Sequence, residues 1–388
     1  MRVERLELVD FRNYEHATIH MGAGPQAFVG ENGQGKTNLL EALQVAAVGA
    51  SHRVSGEVPL VRAGAEAAVI RVDARTDAGR LLAVELELRP GGRNRVQLNG
   101  QRQSGLRAVI GLVRSVLFSP EDLALVRGDP SARRRFLDDV LAQRRPAYYA
   151  SRQEYERVLR QRNALLREAR RHGGVPDATL PTWTDALIAT GATLLAARIA
   201  LVHALCGPAV WEYAELVSAL RETDGLVALE YELSTGRVVA ARPGSGMPDP
   251  GQLADELRAG LQARRAEERE RGMTLAGPHR DELGLRLNGL PARGYASQGE
   301  AWSLALALRL ASRSVLAEVG DEPVVLLDDV FAELDTRRRG QLADRCEGFC
   351  QTLITAAVDD DVPLQAPRQR VHAGAVTELR QRRHEMLS

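Results

Sequence analysis

Gly30-Glu31-Asn32-Gly33-Gln34-Gly35-Lys36-Thr37 decides how this chain is read. The stretch fits G-x-x-x-x-G-K-[ST], the phosphate-binding P-loop. Its glycines let the backbone turn tightly, so that successive N–H groups point inward at phosphate oxygens. In that pattern Lys36 reaches the β and γ phosphates and the Thr37 hydroxyl ligates Mg²⁺. The flanks agree. Residues 26–29 read as a short buried strand, and residues 37–48 as a helix with Leu39, Leu40, Leu43 and Ala47 on one apolar stripe. The helix N-terminus adds its partial positive charge. The chain has 51 basic residues, yet Lys36 is its only lysine. A compact ammonium is kept where a planar guanidinium would not fit the cradle.

At 388 residues the chain can form two domains, or one large domain with an insertion. A hydrophobic content of 44% supports a globular core, and no apolar run is expected to be long enough to span a bilayer. Residues 2–8 alternate like a strand rather than a signal peptide. Three cysteines, Cys206, Cys346 and Cys350, are few and odd in number, which argues against a disulfide framework. A cytoplasmic protein is expected. Formal charge is balanced, 51 acids against 51 bases, so any basic surface must be local.

The spacing predicts a β-rich first segment: strands at 2–8, 17–20, 67–75, 81–89, 95–98 and 115–118, with a polar and aromatic turn at Phe11-Arg12-Asn13-Tyr14. After Pro120 the character becomes helical. Asp129-Pro130-Ser131 signals a helix start, helices are expected at 148–171 and 182–220, and a charged helix at 251–271. Residues 172–176 read as a break, 226–233 as a strand and 241–246 as a flexible linker. The third segment returns to strand at 282–287, helix at 303–316, buried strand at 323–327, a helix from Thr336, a strand at 352–355 and an Arg-rich solvated tail. The domain reading is therefore 1–120, an inserted helical arm at 121–272, and 273–388.

Val324-Val325-Leu326-Leu327-Asp328-Asp329 has the form of a Walker B element, a buried strand delivering two carboxylates to its C-terminal edge. Asp328 is assigned to hold Mg²⁺ and Asp329 to orient or deprotonate water. Tyr295-Ala296-Ser297-Gln298-Gly299-Glu300 resembles the S-G-G-Q signature of ABC-type ATPases, with Ser297 and Gly299 at a helix N-terminus. Ser297 serves equally as an ordinary helix cap. Phe331-Ala332-Glu333-Leu334-Asp335 resembles the D-loop, where Asp335 can be an interface residue, a helix cap or both. Thr355 falls at the switch position that carries histidine in many ABC proteins.

Together with Phe118-Ser119-Pro120-Glu121-Asp122-Leu123 and Gly277-Pro278-His279-Arg280-Asp281, these stretches resemble the RecF family, recombination-mediator ATPases of the SMC-like ABC branch. The resemblance spans nearly the whole chain in the family's order. It implies an α/β ABC-type ATPase head with a β-rich lobe and an inserted, mostly helical arm. It also implies ATP and Mg²⁺ as ligands, an ATP-dependent homodimer in which Ser297 and Gly299 of one copy face the nucleotide of the other, and binding to gapped DNA at single-strand to double-strand junctions. RecR, RecO and RecA-type proteins are the implied partners, without a membrane. By position Ser119 or Glu121 is a γ-phosphate sensor. Two positions depart from the general ABC form: Glu300 stands for the signature glutamine and Asp329 for the catalytic glutamate. Slow hydrolysis, with ATP as a switch, is the resulting expectation. Arginines at 133–171 are the expected DNA-facing charge. A transporter ATPase subunit, another SMC-like ATPase and a small-molecule kinase are the competing readings.

Overall fold

A computed structural model describes residues 1–54, 56–172, 179–217, 227–244 and 248–379. In chain order the first elements are β1 (Arg2–Phe11), β2 (Tyr14–His20), β3 (Gly24–Val29), α1 (Lys36–Val48), β4 (Ala68–Arg75), β5 (Leu81–Leu88), β6 (Arg95–Leu98), β7 (Gln101–Gln103) and β8 (Ser115–Phe118). Next come α2 (Leu123–Arg127), α3 (Pro130–Arg144), α4 (Pro146–His172), α5 (Thr179–Val217), β9 (Val227–Glu232), β10 (Val238–Ala240), α6 (Pro250–Ala263) and α7 (Arg265–Arg271). The remainder is β11 (Glu282–Leu287), β12 (Leu290–Pro291), the one-turn α8 (Ala292–Tyr295), α9 (Gln298–Ala317), β13 (Val324–Asp328), α10 (Thr336–Glu347), β14 (Gln351–Ala356), β15 (Arg368–His372) and β16 (Ala375–Leu379).

These form two compact units, one of Met1–Asp122, Glu215–Val217 and the chain from Arg309, the other of Leu123–Ala214 and Ser218–Leu308. Residues 273–308, grouped with the third segment by sequence, thus cluster with the second unit.

The first unit holds two sheets. One is antiparallel, in the order β2-β1-β4-β5-β6-β7. Its strands alternate because one face is buried and the other wet; β4 and β5 bury every second residue. The other has the order β16-β15-β3-β14-β13-β8, in which β15, β3, β14, β13 and β8 run parallel to one another and β16 pairs antiparallel with β15. Strands β13 and β14 are buried along their whole length, as the centre of a parallel sheet requires. Leu39, Leu40 and Leu43 of α1 share one apolar cluster with Leu6, Leu8, Ile70 and Leu86 of the first sheet and Leu326 and Leu353 of the second. Helix α1 is therefore buried on nearly every side, not along the single stripe the spacing predicts.

Two further expectations are corrected. Residues 368–379 are not a solvated tail: β15 pairs with β16 and joins β3 in parallel, Arg368 opposite Ala27. The charged helix at 251–271 is two helices, because Arg264 leaves the helical region (φ −97°, ψ 5°) while its guanidinium donates to Ser234 O at 2.7 Å. Residues 173–176 of the break, 218–220 of the second long helix, 226 of the predicted strand, 245 and 246 of the linker and 380–388 of the tail lie outside the described residues.

In the second unit, α5 carries an 18-residue window of mean hydropathy 1.6, which is long and apolar enough to cross a membrane by length and composition. This overturns the expectation that no run reaches that length. The window is 61% buried inside the protein, as a core helix is. Beside α5 runs a buried polar network. Arg198 on α5 forms a bidentate pair with Asp138 on α3 (2.9 and 3.0 Å), while Tyr148 OH donates to Asp138 at 2.6 Å. Such a pair is worth keeping once formed, since removing one partner strands a buried charge at a cost of about 3–5 kcal/mol.

The network explains Gly277-Pro278-His279-Arg280-Asp281, to which spacing alone assigns no role. Pro278 O accepts from Arg198 at 2.6 Å. Asp281 accepts from Tyr231 OH (3.0 Å) and Ser234 N (2.7 Å), and Glu282 pairs with Arg133 at 2.7 Å. Gly277 sits at φ 132°, where a Cβ would lie 2.6 Å from Tyr155 OH. That hydroxyl meets His279 Nδ1 at 2.6 Å, and His279 Nε2 meets Thr274 O at 3.2 Å. A carbonyl only accepts, so Nε2 carries the proton and Nδ1 accepts from tyrosine. Burial pushes the imidazole down to about 4. The folded protein therefore keeps His279 neutral where the unfolded chain, near 6.5, already binds a proton. Its contribution is present above pH 6.5 and is lost as the pH falls toward 4, by about 3 kcal/mol. Urea unfolding of wild type and His279→Gln at pH 7 and pH 4.5 checks this: the variant loses less stability between the two.

Candidate functional site

The parallel sheet brings four strand ends to one edge. The P-loop follows β3, Asp328 closes β13, Thr355 lies at the end of β14 between them, and Ser119 follows β8. Ligands bind α/β sheets at this carboxyl edge.

Gly33 and Gly35 have φ of 82° and 113°, and Gly35 is the N-cap of α1. The loop is braced from outside by the turn between β1 and β2. Asn13 Nδ2 donates to Gln34 O at 2.9 Å, Tyr14 OH donates to Gly35 O at 3.0 Å, and Asn38 Nδ2 donates to Asn13 Oδ1 at 2.8 Å. Burial pushes the Tyr14 phenol up, which keeps it a donor. A Cβ at Gly35 would lie 2.6 Å from Asn13 Nδ2, and one at Gly30 would lie 2.2 Å from Val371 O of β15. The glycines are thus required on the side facing the protein as well as for the turn. The β15–β16 turn adds a third brace, as Ala373 N donates to Gln34 Oε1 at 2.7 Å.

Arg12, at φ 55°, anchors the same turn. Its guanidinium forks onto Glu41 of α1 at 2.8 and 2.6 Å, and Glu41 is fully buried. Burial alone would raise the Glu41 carboxyl, but Arg12, Ser51 and Arg53 hold it below the usual range. The anion that α1 carries inside the core is paired, as buried charges must be.

Lys36 is 4% exposed, and its ammonium donates to Gly30 O (2.7 Å), Glu31 O (3.1 Å) and Asn32 Oδ1 (3.3 Å). Thr37 Oγ1 donates to Asp328 Oδ1 at 2.9 Å, and Thr355 Oγ1 donates to the same oxygen at 2.6 Å. Thr355 Oγ1 in turn accepts from Asp329 N at 3.0 Å. Burial pushes the Asp328 carboxyl up; the two hydroxyls oppose this, and the charges of Asp329 and Glu121 reinforce it. Asp329 sits in the left-handed region (φ 52°, ψ 24°), and its Oδ1 is buried with no hydrogen-bond partner. Few non-glycine residues adopt that conformation, and few buried side-chain oxygens lack a partner. Asp328 and Thr37 bring together hard-oxygen donors of the kind suited to Mg²⁺.

Ser119 is buried, and its N–H donates to Asp122 Oδ2 at 3.1 Å. Arg309 holds that carboxylate through both Nε and Nη2. The segment after β8 is therefore a fixed corner with Glu121 exposed beside it. Asp335 caps α10, accepting from Arg338 N at 2.9 Å.

In the second unit, Ser297 and Glu300 form a reciprocal capping box at the start of α9. Ser297 N donates to Glu300 Oε2 at 2.8 Å and Glu300 N donates to Ser297 Oγ at 3.3 Å. The glutamate that replaces the signature glutamine has this local role, and Gly299 O accepts from Ser303 Oγ. The arginines expected to face DNA divide. Arg133 and Arg162 are buried in pairs with Glu282 and Glu268, Arg134 donates to Asp281 O, and Arg160, Arg167 and Arg171 are exposed.

A phosphate loop after one parallel strand and paired acids after another define a P-loop ATPase head of the ABC kind. The model of the RecF/RecN/SMC N-terminal domain family matches residues 2–365. "DNA replication and repair protein RecF" of Streptomyces avermitilis is 51% identical over 97% of this chain and 99% of its own. The protein of the same name from Frankia alni is 50% identical over 97% and 99%. The structure of a recombination mediator protein RecF with ATP in the RecFOR pathway superposes with TM-score 0.86 at 26% identity, covering 97% of each chain. An SMC head bound to the C-terminal winged-helix domain of ScpA shares the fold, with TM-score 0.52, 16% identity and coverage of 98% and 97%. The chain belongs to the RecF family of DNA replication and repair proteins.

Sequence reasoning did not find the Arg12–Glu41, Asn13–Gln34, Tyr14–Gly35 or Asp122–Arg309 contacts. The signal available was the Phe11–Tyr14 turn itself. Thr355→Val leaves the Asp329 N–H without its acceptor and Asp328 Oδ1 with only one of its two hydroxyl donors. It is expected to destabilise the protein by about 1–3 kcal/mol, read as a lower urea midpoint at unchanged slope, with Thr355→Ser retaining most of the stability.

Proposed function

We propose that this protein is an ATP-gated DNA-binding protein of recombinational repair in the cytoplasm. The observation that carries the ATP reading is the convergence of Lys36, Thr37, Asp328 and the unsatisfied Asp329 Oδ1 at one sheet edge. Residues 30–37 cradle the phosphates with backbone N–H groups, and Lys36 exchanges its loop acceptors for β- and γ-phosphate oxygens. Thr37 and Asp328 would hold Mg²⁺, which would supply charge neutralisation at the phosphates. Asp329 orients the attacking water and accepts its proton. Glu121, whose charge acts on Asp328, is exposed and is the sensor candidate favoured over the buried Ser119.

Ser297 and Gly299 of a second copy complete the nucleotide site, with Asp335 at the same interface, so that dimerisation depends on ATP. Closure presents a DNA surface suited to gaps at single-strand to double-strand junctions, and RecR-, RecO- and RecA-type proteins act with it. The ATP-bound structure and curated names of the relatives support this reading. Hydrolysis is slow because Asp329 is one methylene shorter than glutamate and reaches less far toward water.

Two measurements test the proposal. Binding to a labelled gapped duplex is expected with ATP, weak with ADP or no nucleotide, and lost in Lys36→Ala; binding independent of nucleotide overturns the gating. Asp329→Asn is expected to lower ATP turnover at least 10²-fold, a typical loss for a general base, while nucleotide binding by filter assay persists.

A further inference from the structure

The outer face of the antiparallel sheet is a charge ladder. Arg71 on β4 joins Glu7 on β1 (2.6 Å) and Glu85 on β5, and Gln97 on β6 donates to Glu85 at 2.8 Å. Arg75 pairs with Glu4 at 2.7 Å, and Arg5 with Asp73 at 3.2 Å. Across the first strands of the sheet each arginine therefore meets an acid.

The balance fails at the far edge. Arg89, Arg93, Arg95 and Arg102 line an open cleft of about 450 Å³ formed by the β5–β6 connection and β7. Arg89 and Arg95 share one carboxylate, Glu87, at 2.6 and 3.4 Å. Arg93 is exposed and donates to Ser104 O at 3.0 Å, which neutralises nothing. Arg102 lies opposite Gln97 in the register, is exposed, and has no carboxylate partner among the described residues. Glu57 accepts from Asn94 Nδ2 at 3.1 Å. The ladder ends in surplus positive charge, gathered in a concave site at the edge of the sheet.

We infer that this edge is a binding site for the phosphodiester backbone of DNA. All four cations are guanidiniums, which fork onto phosphate oxygens. No aromatic side chain lines the cleft, so it offers no surface for stacking a base or an adenine ring. The contact is consequently to backbone and independent of sequence. It rests on the DNA-binding reading above and adds to it a site in the head unit, apart from the arginines of α4.

The test measures affinity for the gapped duplex with ATP across a salt series, for wild type, Arg93→Ala/Arg102→Ala, Arg93→Lys/Arg102→Lys and Arg160→Ala/Arg167→Ala. Losing two phosphate contacts makes the plot of log affinity against log salt shallower by about 1.8. That change in the first double variant, unchanged ATP binding and a wild-type slope in the lysine variant support the site. A wild-type slope in Arg93→Ala/Arg102→Ala, with normal DNA binding, overturns the site and leaves the DNA reading intact. Absence of DNA binding by wild type in every nucleotide state overturns both. Inorganic phosphate at matched ionic strength provides the last arm. If phosphate binds wild type and not the alanine variant, yet displaces no more DNA than chloride does, the cleft is a free-phosphate site and the inference fails.

Discussion

One carboxylate oxygen, Asp328 Oδ1, accepts the hydroxyls of Thr37 and Thr355, and Thr355 takes the N–H of Asp329. The C-terminal ends of β13 and β14 are tied there to the start of α1, the helix that follows β3. The contact needs β3, β14 and β13 to lie side by side, in parallel and in register, with Asp328 opposite Thr355. A slip of one residue in β13 would turn Asp328 to the other face of the sheet and break both bonds. Hence the buried Val324–Asp328 run does more than fill space. Its apolar residues fix the register that sets where the acid ends.

The loop that Asp328 faces is held from behind with equal care. Asn13, Tyr14 and Gln34 fix its carbonyls, while the Arg12–Glu41 pair fixes the turn that carries them. These are polar bonds in a largely buried setting, where an unpaired partner is costly and a satisfied network is rigid. The second unit uses the same device around Arg198, Asp138 and Asp281. Both units therefore hold polar networks inside a chain whose net charge is zero.

Much of this was legible in the sequence, and the limits have physical causes. The P-loop, Asp328, Asp329 and the strands that present them were readable because phosphate binding and parallel-strand burial restrict residue types locally. Ser297 reads in sequence as a helix cap as well as a signature serine, and it forms a capping box with Glu300. Pairings at long range were not readable: Asp122 meets Arg309 across 187 positions, and nothing in either neighbourhood names the other. The β15–β16 hairpin was missed because an Arg-rich segment reads as solvent-facing, yet only Val371 of β15 is buried and its arginines stay at the surface. Local charge likewise misled at Arg133 and Arg162, which look like surface cations in sequence and are core residues in space.

The identity of Lys36 as the sole lysine has a chemical consequence beyond phosphate binding. It is the chain's one side-chain primary amine, and it is 4% exposed with three acceptors around it. Reagents that acylate or reductively alkylate lysine find no other side-chain target on a surface whose cations are guanidiniums. Amine-directed labelling of side chains is thus confined by composition to the floor of one loop, with the Met1 α-amino group, bound to Asp77, as the other primary amine of the sequence.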